Sequence, residues 1–203
     1  MIALWLAALG LGFATLWRYE VTAGAAGGPP GRWPSLSAIE RPHGRPALLM
    51  FAHPQCVCTR ASLTELERLR GRLEGRLAVY VVFLRPTEDG LDWERSDLWK
   101  RAAAMPGVTV VRDRDGLEAA RFGAVTSGHT LLYDADGRLL FSGGLTAARG
   151  REGAAPGAQR IAALLATGRA DRNDSPVFGC ALRSADAAAN DPSQQAGGKE
   201  VGE

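Results

Sequence analysis

The sequence predicts an α/β domain built on a mixed central sheet with helices on both faces, preceded by an apolar N-terminal helix. Three observations predict it. Residues 47–52 and 77–84 are short, continuous apolar runs, as expected of strands buried on both faces, with an amphipathic segment between them. Asp134-Ala135-Asp136-Gly137 is a turn signal between two further strand-like runs. The 203 residues suffice for one core of this kind and its appendages, not for two.

Residues 1–17 carry no charged side chain, and their length falls between a signal-peptide core and a membrane span of roughly 20 residues. Residues 1–19 are therefore read as a membrane anchor or signal segment, and either fate exports the rest of the chain. Val21-Thr22-Ala23 would suit signal peptidase, but the absence of a basic leader and the interfacial cluster Trp17-Arg18-Tyr19 favour a retained anchor. A buried core helix is the competing reading, and a stretch just ahead of a Gly/Pro-rich segment is a poor place for one. Residues 20–46 contain Gly-Gly-Pro-Pro-Gly and are expected to form an extended linker.

The folded domain is expected over residues 47–183. After the strand at 47–52 and the loop His53-Pro54-Gln55-Cys56-Val57-Cys58, residues 59–73 place Leu63, Leu66, Leu69 and Leu73 at helical spacing. The strand at 77–84 then completes a parallel βαβ unit. A helix over 93–104 ends at Pro106-Gly107, and the β-branched run 108–111 is a third strand. A short helix reaches residue 122, and strands at 130–134 and 138–142 form an antiparallel hairpin. Gly143-Gly144 predicts a bulge or bend after it, and residues 156–168 form a closing helix with Ile161, Leu164 and Leu165 toward the sheet. Residues 184–203 lack apolar periodicity and are expected to be a disordered tail.

A net charge of +2 gives no reason to expect a nucleic-acid partner. Gly10-Leu11-Gly12 lies inside the apolar leader and is no dinucleotide fingerprint, and the Asp134–Gly137 turn lacks the later acidic ligand of a calcium loop. The informative residues are the cysteines. Three are too few for a disulfide scaffold, yet Cys56 and Cys58 stand two apart where the first strand meets its helix. Unpaired N–H groups and the dipole at a helix start favour thiolate over thiol, so an accessible Cys56 with a lowered pKa is expected. Arg60, one turn along, adds to that shift or is simply solvated.

A thiolate there could attack a disulfide, and Cys58 is the nearest sulfur to resolve the mixed disulfide. A bridge between residues i and i+2 closes a small ring that is easily reduced, which points to oxidising or isomerising chemistry. Two inert structural cysteines are the bland alternative, but such cysteines seldom cluster at a strand-to-helix turn in an exported chain. Cys180 is left open: it could resolve Cys56 or Cys58, bind metal or stay free, and Val177 and Phe178 give its segment a reason to dock.

The order of elements, with cysteines where the first strand meets its helix, resembles the thioredoxin-like superfamily over about residues 47–168, which implies a three-layer fold. It is also similar to small exported redox proteins of Gram-negative bacteria, the RedB group. In thioredoxin-like proteins the nucleophilic Cys follows the strand's aromatic by five residues, as Cys56 follows Phe51. The usual Cys-x-x-Cys is not kept, because Cys58 comes one residue early and Thr59 stands in the second Cys place. The cis-proline place before the hairpin holds His129, so the resemblance implies that His129 faces Cys56 as base, ion-pair partner or metal ligand; a surface histidine without a role is the alternative. The resemblance thus implies a thiol–disulfide oxidoreductase without a cofactor. Cys56, Cys58, His129 and Arg60 would form its site and protein thiols or disulfides its substrates, on the bacterial inner membrane facing the periplasm.

A second reading is metal binding. Cys56, Cys58 and His129, with His53 and Cys180 in reserve, are soft ligands suited to copper(I) or zinc, as in the Sco-type copper proteins, although those use Cys-x-x-x-Cys. His53, next to Pro54, is more simply a residue that shapes the loop. A third reading is a thioredoxin-fold binding module whose Cys56–Cys58 bridge is structural only.

Overall fold

Six strands form one sheet in the order β3-β2-β1-β4-β5-β6, in a computed structural model that describes residues 1–25, 27–73, 75–86 and 96–182. The strands are β1 (Ala47–Ala52), β2 (Ala78–Arg85), β3 (Val108–Arg114), β4 (Thr130–Tyr133), β5 (Leu139–Gly143) and β6 (Asp174–Ser175). β1, β2 and β3 are parallel neighbours, and β4 runs antiparallel to both β1 and β5. The helices are α1 (Ile2–Val21), α2 (Val57–Arg72), α3 (Asp97–Ala104), α4 (Leu117–Arg121) and α5 (Pro156–Thr167). This is the expected thioredoxin-like α/β arrangement, with the sheet between two covering layers.

Alternation along β1 separates the layers, because successive side chains leave a strand on opposite faces. Leu48, Met50 and Ala52 join Leu63 and Leu66 of α2, Ala102 of α3 and Ile161 of α5 in one cluster. Ala47, Leu49 and Phe51 join Ala119 of α4, Phe122, Leu131 and Tyr133 in the other. All six β1 residues are buried, so its apolar run has the cause inferred from the sequence. The hairpin turn is held by the Asp134 carboxylate, which accepts from the backbone N–H groups of Asp136 at 2.9 Å and Arg138 at 2.7 Å.

Three features differ from expectation. The segment expected as an extended linker is packed instead: Trp33 meets Phe122 and Tyr133 edge to face at 5.1 and 5.3 Å, and Ile39 is buried. Its aromatic and aliphatic side chains gain more from covering β4 than from standing in water. The C-terminal chain adds β6 beside β5, with Gly143 so close to Ser175 that a Cβ there would lie 2.3 Å from the Ser175 hydroxyl. The Gly143-Gly144 pair thus admits a neighbouring strand. α2 starts at Val57, two residues before the start expected at Thr59, so Cys58 lies inside the helix. The start expected for α3 at residue 93 and the tail at 184–203 lie outside the described residues.

α1 is 20 residues long with a mean hydropathy of 1.4 over its most apolar window, and none of it is buried. At 1.5 Å per residue it spans about 30 Å, the thickness of a bilayer core.

Candidate functional site

β1 delivers the chain to the turn before α2, where Cys56 is the N-cap residue in extended conformation with φ −78° and ψ 115°. The turn is closed by the Cys56 N–H on the His53 carbonyl at 3.1 Å, and anchored by the His53 N–H on the Ser127 hydroxyl at 2.8 Å. Ser127 in turn shares a 2.8 Å hydrogen bond with Thr59, and the Thr59 N–H donates to the Cys56 carbonyl at 3.0 Å. Thr59, which stands where a Cys-x-x-Cys pattern would place its second cysteine, therefore braces the first turn of α2 against the loop before β4.

No disulfide joins the three cysteines, and the ionisation of each depends on at least one of the others. Burial raises the Cys56 pKa, but hydrogen bonds from Cys180 and Thr59, each through side chain and backbone, outweigh it and leave Cys56 below the ordinary thiol value. Cys58 is pushed up by burial, by the charge of Cys56 when ionised and by a hydrogen bond to it, with Arg149 opposing. Cys180 is pushed up to about 11 by burial, by its hydrogen bond to Cys56 and by the charges on Cys56 and Cys58. Cys56 thus ionises before either of the two sulfurs beside it.

The accessible Cys56 expected from the sequence is not what the structure holds. Cys56 is 2% exposed, while its neighbour Val57 is 80% exposed. The cover is the segment 176–182, whose buried Val177, Phe178 and Leu182 flank the exposed Cys180. It pairs edge-on with the loop before β4: Ser127 N–H donates to the Cys180 carbonyl at 2.8 Å and Leu182 N–H to the Val125 carbonyl at 2.9 Å, around the antiparallel bridge Thr126–Ala181. Gly179 permits this approach, since a Cβ there would lie 1.9 Å from the Ser127 carbonyl oxygen.

Of the residues expected at the site, the structure brings Cys56 and Cys58 together and adds Cys180. His129 is turned elsewhere: its Nε2 shares a 2.8 Å hydrogen bond with the Ser142 hydroxyl of β5. Its Nδ1 is buried without a hydrogen-bond partner among the described residues, and burial lowers its pKa to about 4, so the ring is neutral at pH 7. This packing draws the ring against β5 and under the linker at Gly27, and the hydrogen bond His129 makes is to Ser142 and not to a cysteine. Arg60 points to solvent, and the cation beside the sulfurs is Arg149. Among the described residues no three or more His, Cys, Asp and Glu side chains are grouped to hold a metal ion, so the copper or zinc set Cys56, Cys58 and His129 is not assembled.

Sequence reasoning missed Arg149, Thr59 and Ser127. Arg149 Nη1 donates to the Gly179 carbonyl at 2.6 Å, its Nε to the Tyr19 carbonyl at 3.1 Å, and its guanidinium lies 4.8 Å from the Tyr19 ring centroid. One side chain joins the end of α1, the covering segment and the Cys58 thiol. No local pattern marks Arg149 among so many arginines, whereas Thr59 could have been found by asking what a hydroxyl does in a cysteine's place.

No protein-family model matches the sequence, and no curated protein matches it. Among solved structures, the fold is similar to an uncharacterized conserved protein of Geobacillus kaustophilus, at 16% identity over 80% of this chain and 92% of that one, with a TM-score of 0.57. It is also similar to a hypothetical protein of Sinorhizobium meliloti 1021, at 19% identity over 82% and 98%, with a TM-score of 0.56. A secreted disulfide oxidoreductase of Mycobacterium tuberculosis, homologous to DsbE of E. coli, matches at 20% identity over 61% and 82%, with a TM-score of 0.43. At such identities these likenesses bear on the fold alone.

Proposed function

We propose that this chain is an extracytoplasmic thioredoxin-like thiol–disulfide oxidoreductase, tethered by α1 to the bacterial inner membrane, in which Cys56 is the attacking sulfur. The observation that carries the reading is Cys56 itself: it occupies the N-cap position of α2, without a side-chain cap hydrogen bond, and Thr59 and Cys180 beside it favour its thiolate. A thiolate so placed attacks a disulfide sulfur, forms a mixed disulfide and is released by a second thiol, for which Cys58 and Cys180 both stand ready. Protein disulfides or thiols are the proposed substrate class, since the exchange needs a disulfide sulfur that can reach the attacking thiolate. The apolar, unburied α1 supports the membrane tether and the export of the folded domain.

The test is reaction of the reduced full chain with oxidised glutathione, with acid quenching and mass-spectrometric mapping. Mixed disulfide at Cys56 is the expected first product, absent in Cys56→Ser. Capture at Cys58 or Cys180 with Cys56 untouched would remove the attacking role from Cys56.

A further inference from the structure

We infer that Cys180 is the second redox sulfur of the site, carried on a C-terminal strap that closes over Cys56, so that the working disulfide is Cys56–Cys180 and not Cys56–Cys58. This deepens the reading above and rests on it. The strap, residues 176–182, is a separate strand-like segment laid along residues 125–127 by two backbone hydrogen bonds, with a third from Gly24 N–H to the Val177 carbonyl at 2.8 Å. It holds Cys180 against Ser127, the residue whose hydroxyl anchors the turn before Cys56 and meets Thr59 of α2, so that Cys180 stands near enough to Cys56 to favour its thiolate.

Two features distinguish Cys180 from Cys58. Cys58 is fixed in the first turn of α2, its carbonyl taken by the Ser62 hydroxyl at 3.5 Å, and successive helical side chains turn by about 100°. Bridging it to Cys56 distorts that turn and the N-cap. Cys180 comes from outside the helix, on a strap held by four edge backbone hydrogen bonds, the Arg149–Gly179 bond and three buried apolar side chains, none of them a bond within a helix or between strands of the sheet, so it can lift and return without unfolding any element. Lifting is required in any case, because Cys56 is 2% exposed beneath it.

The electrostatics set the order of events. While Cys56 is a thiolate, its charge and hydrogen bond keep Cys180 protonated. Cys56 attacks one sulfur of a disulfide R–S–S–R, forming Cys56–S–S–R and expelling RS⁻. The charge on Cys56 is then gone, Cys180 gives its proton to the departed thiolate, and Arg149 stands by to favour the anion. Cys180 S⁻ attacks Cys56 Sγ, closing Cys56–S–S–Cys180 and releasing the second RS⁻, which takes a proton from water. Two protein thiols have been oxidised and one external disulfide reduced to two thiols.

The experiment is disulfide mapping of the full chain after oxidised glutathione, in the wild type, Cys58→Ala and Cys180→Ser. Expected are a Cys56–Cys180 linkage in the wild type and in Cys58→Ala, and in Cys180→Ser a glutathione adduct on Cys56 that outlives the wild-type adduct by tenfold or more. A Cys56–Cys58 linkage in the wild type, with Cys180→Ser losing its adduct as fast as the wild type, overturns the assignment while leaving Cys56 as nucleophile. Absence of any adduct at Cys56 in all three proteins overturns the reading beneath it.

Discussion

Arg149 donates from Nη1 to the Gly179 carbonyl at 2.6 Å, and through that bond the residue before Cys180 is tied to the end of α1. The same guanidinium lowers the proton affinity of Cys58 and Cys180. Replacing it with Met keeps the stem and removes both effects. Arg149→Met is expected to loosen residues 176–182 by about 1–2 kcal/mol, the worth of a charged hydrogen bond in a half-buried setting. Amide hydrogen exchange at those residues checks it, with β1 as the unchanged control.

Thr59 offers Cys56 both its hydroxyl and its N–H, and only the first can be removed by substitution. Thr59→Val should raise the Cys56 pKa and slow its alkylation at pH 6 by roughly fivefold, as the loss of about 1 kcal/mol of thiolate support requires. Alkylation above pH 10 should be unchanged.

Gly179 is the point where the strap touches Ser127. A methyl group there cannot be accommodated, so Gly179→Ala should displace the strap and expose Cys56. The expected result is alkylation of Cys56 faster by ~10-fold at fixed pH, with cooperative unfolding of the sheet little altered. Slower alkylation would mean that the strap supports the thiolate more than it shields it.

His129 makes stability depend on acid. Burial holds it at about 4 in the folded chain, against an ordinary value of 6.5, so the unfolded chain takes up the proton first as pH falls. The contribution is whole above pH 6.5 and lost between 6.5 and 4, about 3 kcal/mol in all. Asp113 acts with the opposite sign: burial raises it to about 6, so its share is whole below its unfolded value of 3.8 and lost as pH rises through 6. The difference between wild type and His129→Gln isolates the histidine. Denaturant titration at pH 7 and pH 4.5 should show the wild type losing more stability than the variant.

Most of the sheet was legible because burial writes itself into β1 and β2 as unbroken apolar runs, and the hairpin because Asp134 and Gly137 are needed by its turn. The place of Cys56 at the start of α2 was legible because the apolar run of β1 gives way there to a helical pattern. What could not be read was tertiary. A Gly/Pro-rich segment gives no sign that Trp33 will dock on Phe122, and β6 is two residues held by a close approach at Gly143. Cys180 was left with several fates because its partner lies more than a hundred residues away, and only the pairing with residues 125–127 selects one. The orientation of His129 is set by its pull toward Ser142, which alignment to a proline position cannot express.

The claim on which the account depends is that Cys56 is the sulfur most ready to ionise. Site-resolved alkylation of the reduced full chain by iodoacetamide, followed from pH 5 to pH 11 by mass spectrometry, measures it directly. The account predicts that Cys56 titrates below the ordinary thiol value, while Cys58 and Cys180 titrate above it. A Cys56 that titrates at or above that value, or later than either neighbour, would contradict it.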